Sequence, residues 1–153
     1  MSSAISDKLL EVRDYVKEGY SPVVDHAEWR VAILNFSNDL LPENITAMQR
    51  HDETDEVFVL LRGRCMLFIG EGDKKVTDIF AENMQPFKIY NIKKSVWHTH
   101  TLSRNAKVLI VENRNTTLDN SPFSSLTVSQ KAKIAELTSE SRDEAAKSKN
   151  RSG

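Results

Sequence analysis

The chain has 153 residues, of which 39% are hydrophobic and 28% are charged, and its formal net charge is -1. This length suits one compact domain, and the small net charge provides no field that would attract nucleic acid or an anionic membrane. No apolar stretch approaches the roughly 18 residues of a membrane span. Cys65 is the sole cysteine, and the charged N-terminus lacks a signal peptide's apolar run. We therefore predict a cytoplasmic protein that binds neither nucleic acid nor membrane.

The first part of the chain carries a helical pattern. Apolar residues between Ser6 and Glu18 recur at helical spacing, with Ser6 as an N-cap and Gly19 as a stop. We predict a short amphipathic helix over residues 6–18, within a lead-in that spans residues 1–27.

The middle of the chain has the pattern of β-strands. From Trp29 onward, short runs rich in β-branched and aromatic residues alternate with turns rich in Asn, Asp, Gly and Pro. Two of these runs meet at Gly63, where positive φ is accessible, and they predict a β-hairpin. No long helical pattern interrupts the strands. The predicted class is therefore all-β, with a barrel or sandwich over residues 28–115.

The last part of the chain returns to a helical pattern. Thr127 and Gln130 form a capping-box signature, followed by apolar residues that predict a helix from about 128 to 138. We place it in a C-terminal extension, residues 116–138, that packs on the strands. Residues 139–153 contain almost no large apolar side chain, so we predict either a frayed helix or a polar, disordered tail.

Two predicted strands carry side chains that can bind metal. Residues two apart in a strand face the same side, so Gln49 shares a face with His51, and His98 shares one with His100. Imidazoles together with a carboxylate suit Zn, Fe, Mn or Ni. The spacing permits a metal site but does not require one, because the acidic residues around His51 are also typical of a solvated turn.

These residues resemble the two sequence motifs of the cupins, a family of small β-barrel proteins. The last histidine, the glutamate and the glycine of the first motif match His51, Glu56 and Gly63, whereas its first histidine falls on Gln49. In the second motif only the histidine, His98, is present. The order of the predicted strands supports the resemblance.

The resemblance implies a cupin-type β-barrel, also called a double-stranded β-helix or jelly roll, with short N-terminal and C-terminal helices. In that fold His51, Glu56 and His98 would hold a divalent metal near the open end, and Gln49 would be a fourth ligand through its amide oxygen. His100 would replace the missing histidine or act as a general base, since its ordinary pKa lies near neutrality.

Some positions bear on packing and assembly. Residues 56–61 are apolar on both strand faces, so the N-terminal helix, the C-terminal helix or a second subunit must cover the outer face. We favour a homodimer. Trp97, which faces away from His98, is predicted to pack on that outer side or at a subunit contact. Cys65 is predicted to be an inert, packed thiol.

Three functions remain open from the sequence. The first is a metal-dependent enzyme acting on a small polar metabolite, with His100 or Glu53 handling protons. The second is a metal-free enzyme similar to the sugar-nucleotide isomerases and epimerases of the cupin group; Gln49 favours it and Glu56 argues against it. The third is a non-catalytic module that binds or senses a small ligand. The fold alone does not separate them, because function depends on the site.

Overall fold

The computed structural model describes residues 4–152, which form ten β-strands and one long helix. The strands make two antiparallel sheets, and the described residues contain no strand pairing that links one sheet to the other. This arrangement confirms the all-β prediction. The strands are β1 Gly19–His26, β2 Trp29–Asn35, β3 Ala47–Gln49, β4 Glu56–Arg62, β5 Cys65–Glu71, β6 Asp78–Asn83, β7 Tyr90–Ile92, β8 Trp97–Leu102, β9 Lys107–Asn113 and β10 Phe123–Ser125.

The two sheets share one apolar core. Sheet A has the strand order β1-β2-β9-β4-β7, and sheet B has the order β10-β3-β8-β5-β6. Side chains alternate between the two faces of a strand, so Phe58 and Leu60 of β4 point inward together with Glu56. They meet inward side chains of sheet B, such as Leu67 and Leu102, in one buried cluster. The site residues are thus held between two rigid sheets.

The turn at Gly63 is not the hairpin that we predicted. Strand β4 pairs with β7 and β9 in sheet A, whereas β5 pairs with β6 and β8 in sheet B, so the turn carries the chain from one sheet to the other. Gly63 has φ of +73°, and an added Cβ would lie 2.5 Å from the Cα of Ala106. Glycine is required here by both the conformation and the close approach of the two backbones.

A second apolar cluster lies on the outer side of sheet B, beneath helix α1, Val128–Arg151. Trp97 is 2% exposed, and its Nε1 donates a hydrogen bond to the carbonyl of Gly72 at 3.0 Å. Ile134 of α1 is fully buried in the same cluster. The predictions that Trp97 packs on the outer side and that the C-terminal helix packs on the strands are therefore confirmed.

Helix α1 is longer than we predicted. It begins at the capping box formed by Thr127 and Gln130 but continues to Arg151, through the segment predicted to be a frayed helix or a disordered tail. The added turns are rich in Ala, Glu, Lys and Arg, which favour helix without any need for an apolar face. No helix in residues 4–152 is both long and apolar enough to span a lipid bilayer.

The N-terminal helix that we predicted over residues 6–18 is not formed. Only a single turn is present, in which Leu9 and Leu10 donate backbone hydrogen bonds to Ser6. The side chains of Leu9 and Val16 are 83% and 82% exposed. A helix this short is marginal in water unless its apolar face packs against a partner, and here the apolar side chains have none within the described part of the chain.

Candidate metal centre

Three side chains from three different parts of the fold converge between the sheets. His51 follows β3, Glu56 begins β4, and His98 lies in β8, and all three are buried. The Oε2 atom of Glu56 lies 3.0 Å from Nε2 of His51 and 2.8 Å from Nε2 of His98. The three potential ligand atoms all lie within 4.8 Å of one another. The sequence motif is thus assembled into a compact site.

Hydrogen bonds on the far side of each imidazole orient the two histidines. Nδ1 of His98 lies 2.9 Å from the carbonyl oxygen of Val96, an acceptor, so this nitrogen carries the proton. Nδ1 of His51 lies 2.7 Å from Oγ of Ser121, which itself donates to Oδ1 of Asn120, so this nitrogen also donates. In both neutral rings the lone pair is therefore on Nε2, the atom that faces Glu56.

Three lone-pair atoms thus face one another in a buried space. Oε2 of Glu56 has no hydrogen-bond partner despite its two short contacts, because neither contact has hydrogen-bond geometry. Burial raises the pKa of Glu56, but His51 and His98 in their protonated forms lower it more, so this carboxyl stays ionised beside a positive charge. Such a cluster is stable when a cation lies between the three atoms.

The donor set fits a divalent metal. Two adjacent ligands at right angles around a metal, each about 2.1 Å from it, lie about 3.0 Å apart, close to the two contacts of Glu56. Two imidazoles and one carboxylate on one side of an ion form the facial arrangement of metal sites that keep open positions. His51, Glu56 and His98 are therefore the residues that would hold the ion.

The two other predicted site residues lie on the wall of the same cavity. Gln49 donates from its amide Nε2 to the carbonyl of Ser121 at 3.1 Å, which leaves the amide oxygen as its ligand atom. His100 packs edge-on against Phe58, and burial, together with the charge that His98 carries when it is protonated, lowers the pKa of His100 to about 4. Ligation by Gln49 and catalysis by His100 stay predictions.

Glu53 does not lie at the site. Its side chain is exposed and accepts hydrogen bonds from Nδ2 of Asn115 and Nδ2 of Asn120, at 2.8 and 3.0 Å. It is absent from the residues that line the cavity, so we withdraw the role in proton handling that we assigned to it.

The cavity itself measures about 410 Å³ and includes residues that the sequence did not single out. Glu112 is 6% exposed and accepts a hydrogen bond from the Tyr20 hydroxyl, while Arg30 lies beside it. In β9, Glu112 occupies the inward register of Val108 and Ile110. The sequence signal that could have identified Glu112 is a charged residue at a position where the pattern of the strand places an inward apolar side chain.

Comparison with known proteins supports the fold. No model of a protein family matches the sequence, and no curated protein does. Among solved structures, Streptomyces Pac13 with uridine aligns with a TM-score of 0.51 and 8% identity over 73% of this chain and 83% of its own. Another structure of Pac13 describes it as a nucleoside dehydratase.

Two further structures are more distant in shape. A protein with a cupin-2 domain from Shewanella frigidimarina has a TM-score of 0.46 and 19% identity, over 65% of this chain and 85% of its own. KdgF from Halomonas has a TM-score of 0.46 and 11% identity, over 74% of this chain and 96% of its own. The chain shares the overall fold of Pac13 and has a buried His-Glu-His cluster between its sheets. At these identities the likeness shows the fold alone.

Proposed function

We propose that this protein binds one divalent metal ion through His51, Glu56 and His98 and holds a small polar metabolite in the adjoining cavity. The observation that supports the proposal is the convergence of three atoms on one buried point: Oε2 of Glu56 and Nε2 of His51 and of His98. Contacts with Ser121 and Val96 orient the two imidazole rings. A metal bound there would act as a Lewis acid toward an oxygen of the metabolite.

The charges of the cavity favour an uncharged metabolite over a sugar nucleotide. Arg30 is the one lysine or arginine among the described residues that line it. Its guanidinium is already held by the carbonyls of Arg114 and Thr116 and by an ion pair with Asp25. A diphosphate would therefore find no free cationic side chain. Pac13, which shares the fold, was solved with uridine, an uncharged ligand.

Elemental analysis of the purified protein tests the metal site. We expect about one equivalent of metal per chain, and loss of that metal in His51→Ala and in His98→Ala, because each variant removes one of three ligands. His26→Ala is the matched control, since His26 is an exposed histidine that packs on Trp29. If the wild-type protein takes up no Zn, Fe, Mn or Ni after incubation, the proposed metal site is wrong. The metal-free enzyme and the non-catalytic binding module would then remain as candidate functions.

We also propose that a second copy of the chain covers the outer face of sheet A. Across β2, β9 and β4 this face carries two rows of directly paired apolar residues and no charge within the rows. Helix α1 packs on the other sheet and does not cover it. The two rows are Ile33, Leu109 and Val59, and Val31, Val111 and Val57.

The N-terminal segment extends the same apolar surface. Asn35, at the end of β2, donates hydrogen bonds to the carbonyls of Tyr15 and Lys17, and thereby holds the segment beside the outer face. The exposed side chains of Leu9 and Val16 lie on this segment. A two-fold symmetric dimer would bury the sheet face and the N-terminal segment of each copy against the other copy.

Light scattering tests the assembly. We expect the dimer mass for the wild type and the monomer mass for Val59→Arg, because a charge in the middle of an apolar interface is not solvated. Val128→Arg, at a position that is 85% exposed on α1, should remain dimeric. A monomer mass for the wild type at high protein concentration would overturn the proposal.

A further inference from the structure

His100 lies two residues beyond His98 in β8, so the two imidazoles are on the same face of the strand. Its neighbours on that face are apolar: Phe58 packs edge-on against the ring, and Leu67 of β5 is paired directly with His100. His100 lines the cavity but does not belong to the three side chains of the candidate metal centre. The cavity wall therefore has a further polar ring close to that centre.

The two ring nitrogens of His100 have different surroundings. Nδ1 is enclosed by protein and has no hydrogen-bond partner among the described residues. Nε2 has no partner among these residues either, but it is not enclosed, because the ring is only partly buried and faces the cavity. Nε2 is therefore the atom through which this ring can contact a molecule in the cavity.

The surroundings of His100 place the proton of a neutral ring on Nε2. In proteins an enclosed N–H without an acceptor is rarer than an enclosed acceptor without a donor, so Nδ1 has the lone pair. The carboxylate of Asp39, which lines the same cavity and acts electrostatically on His100, also attracts the N–H to the cavity side. A protonated ring has a hydrogen on both nitrogens. Nε2 is thus a donor in either charge state, whether or not a cation occupies the neighbouring centre.

We propose that His100 is a binding group of the cavity that donates a hydrogen bond from Nε2 to a carbonyl or hydroxyl oxygen of an uncharged metabolite. The assignment rests on the proposed function, because a metal ion at His51, Glu56 and His98 would hold another oxygen of the same molecule. It goes further by defining the group that contacts His100.

This role differs from the general base that the sequence suggested for His100. A general base needs a lone pair on the atom that faces the ligand, and in His100 that atom is the protonated Nε2. The negative charge of Asp39 would repel an anionic group at the same position, so the oxygen that accepts the hydrogen bond is that of a neutral carbonyl or hydroxyl group.

Nitrogen NMR of the histidine rings tests the position of the proton without any ligand or metal. At neutral pH we expect a protonated Nε2 and an unprotonated Nδ1 in His100, whose signals are identified by their loss in His100→Gln. His26 is the internal control, because its ring is exposed and its two tautomers should exchange. A lone pair on Nε2 of His100 would overturn the assignment.

Calorimetry with D-ribose tests the contact on the metal-loaded protein, since this sugar is uncharged and has several hydroxyl oxygens. We expect binding to be about ten-fold weaker in His100→Leu, which loses one hydrogen bond. His100→Gln is the matched variant, because the glutamine amide also offers an N–H donor, and it should bind ribose about as tightly as the wild type. An unchanged affinity in His100→Leu, or equal losses in the two variants, would show that the donor at His100 has no role.

D-ribose 5-phosphate tests the charge of the ligand in the same experiment. We expect this sugar phosphate to bind no more tightly than ribose, because Asp39 and Glu56 both line the cavity. If ribose does not bind to the wild type, or if the phosphate binds more tightly, the ligand class is wrong.

Metal analysis on the same samples separates this inference from the proposed function. His100→Gln should retain the metal of the wild type, because His100 lies outside the group of three ligands. Loss of the metal in this variant, when it is folded, would make His100 a ligand and overturn its assignment as a donor. If the wild type itself holds no metal, the proposed function fails, while the NMR signals still decide the state of His100.

Discussion

Oγ of Ser121 lies 2.7 Å from Nδ1 of His51, a residue 70 positions earlier in the chain. Two backbone hydrogen bonds reinforce this contact, from Asp52 to Asn120 at 3.0 Å and from Arg50 to Pro122 at 3.2 Å. The C-terminal extension therefore fixes the direction of one candidate metal ligand. Residues on both sides of the boundary predicted at residue 115 thus contribute to the candidate site.

Replacement of Ser121 by alanine should weaken metal binding. The variant removes the partner of His51 Nδ1, which sets the tautomer and the angle of the ring, and changes of this kind weaken metal affinity by about 10–100-fold. Competition with a coloured chelator measures the affinity. Ser124→Ala is the control, because Ser124 is equally buried but accepts a hydrogen bond from the backbone of Val76 instead. Equal affinities in the two variants would contradict the role of Ser121.

Replacement of Gly63 by alanine should destabilise the fold by about 2–4 kcal/mol, the sum of left-handed backbone strain and overpacking. The new Cβ would meet the Ala106 backbone at 2.5 Å. Gly19→Ala separates the two effects, since Gly19 has φ of +83° but nothing within 4 Å of the added atom. We expect Gly19→Ala to lower the free energy of unfolding by only about 1–2 kcal/mol. Urea unfolding gives both values, and similar losses would show that contact with Ala106 is unimportant.

Truncation of Ile134 should show how firmly α1 is attached to sheet B. Ile134 is fully buried in the cluster that contains Trp97, so Ile134→Ala should lower the free energy of unfolding by about 2–5 kcal/mol. Val128→Ala, on the same helix at an 85% exposed position, should change it by less than about 0.5 kcal/mol. Tryptophan fluorescence during denaturation reports both. A small effect at Ile134 would mean that α1 does not pack as described.

The buried thiol of Cys65 should make stability fall at high pH. Burial raises the pKa of Cys65 from 9.0 to about 12, so the native state keeps a proton that the unfolded chain releases. The free energy of unfolding therefore decreases as pH rises above 9, by up to about 1.4 kcal/mol per pH unit from this group. Cys65→Ala lacks the effect, so the wild type should lose stability relative to it between pH 9 and 12. Parallel curves for the two proteins would contradict this reading.

The sequence predicts local features of this fold better than its long-range contacts. The run of apolar residues in β4 predicts a strand, and the spacing from His51 to Glu56 carries the resemblance to the first cupin motif, because these signals extend over a few residues. The predicted helix over residues 6–18 is not formed because its apolar side chains have no packing partner among residues 4–152. The sequence does not identify Ser121, because its role depends on its contact with the distant residue His51.

The pairing of β10 with β3 affects how the protein reaches its final form. The last strand of the chain lies at the edge of sheet B, next to the strand that leads into His51. While the protein is being synthesised, β3 leaves the ribosome long before β10, so one edge of it stays unpaired and His51 has no fixed orientation. The geometry of the candidate metal centre is therefore complete only once residues 121–125 have been made.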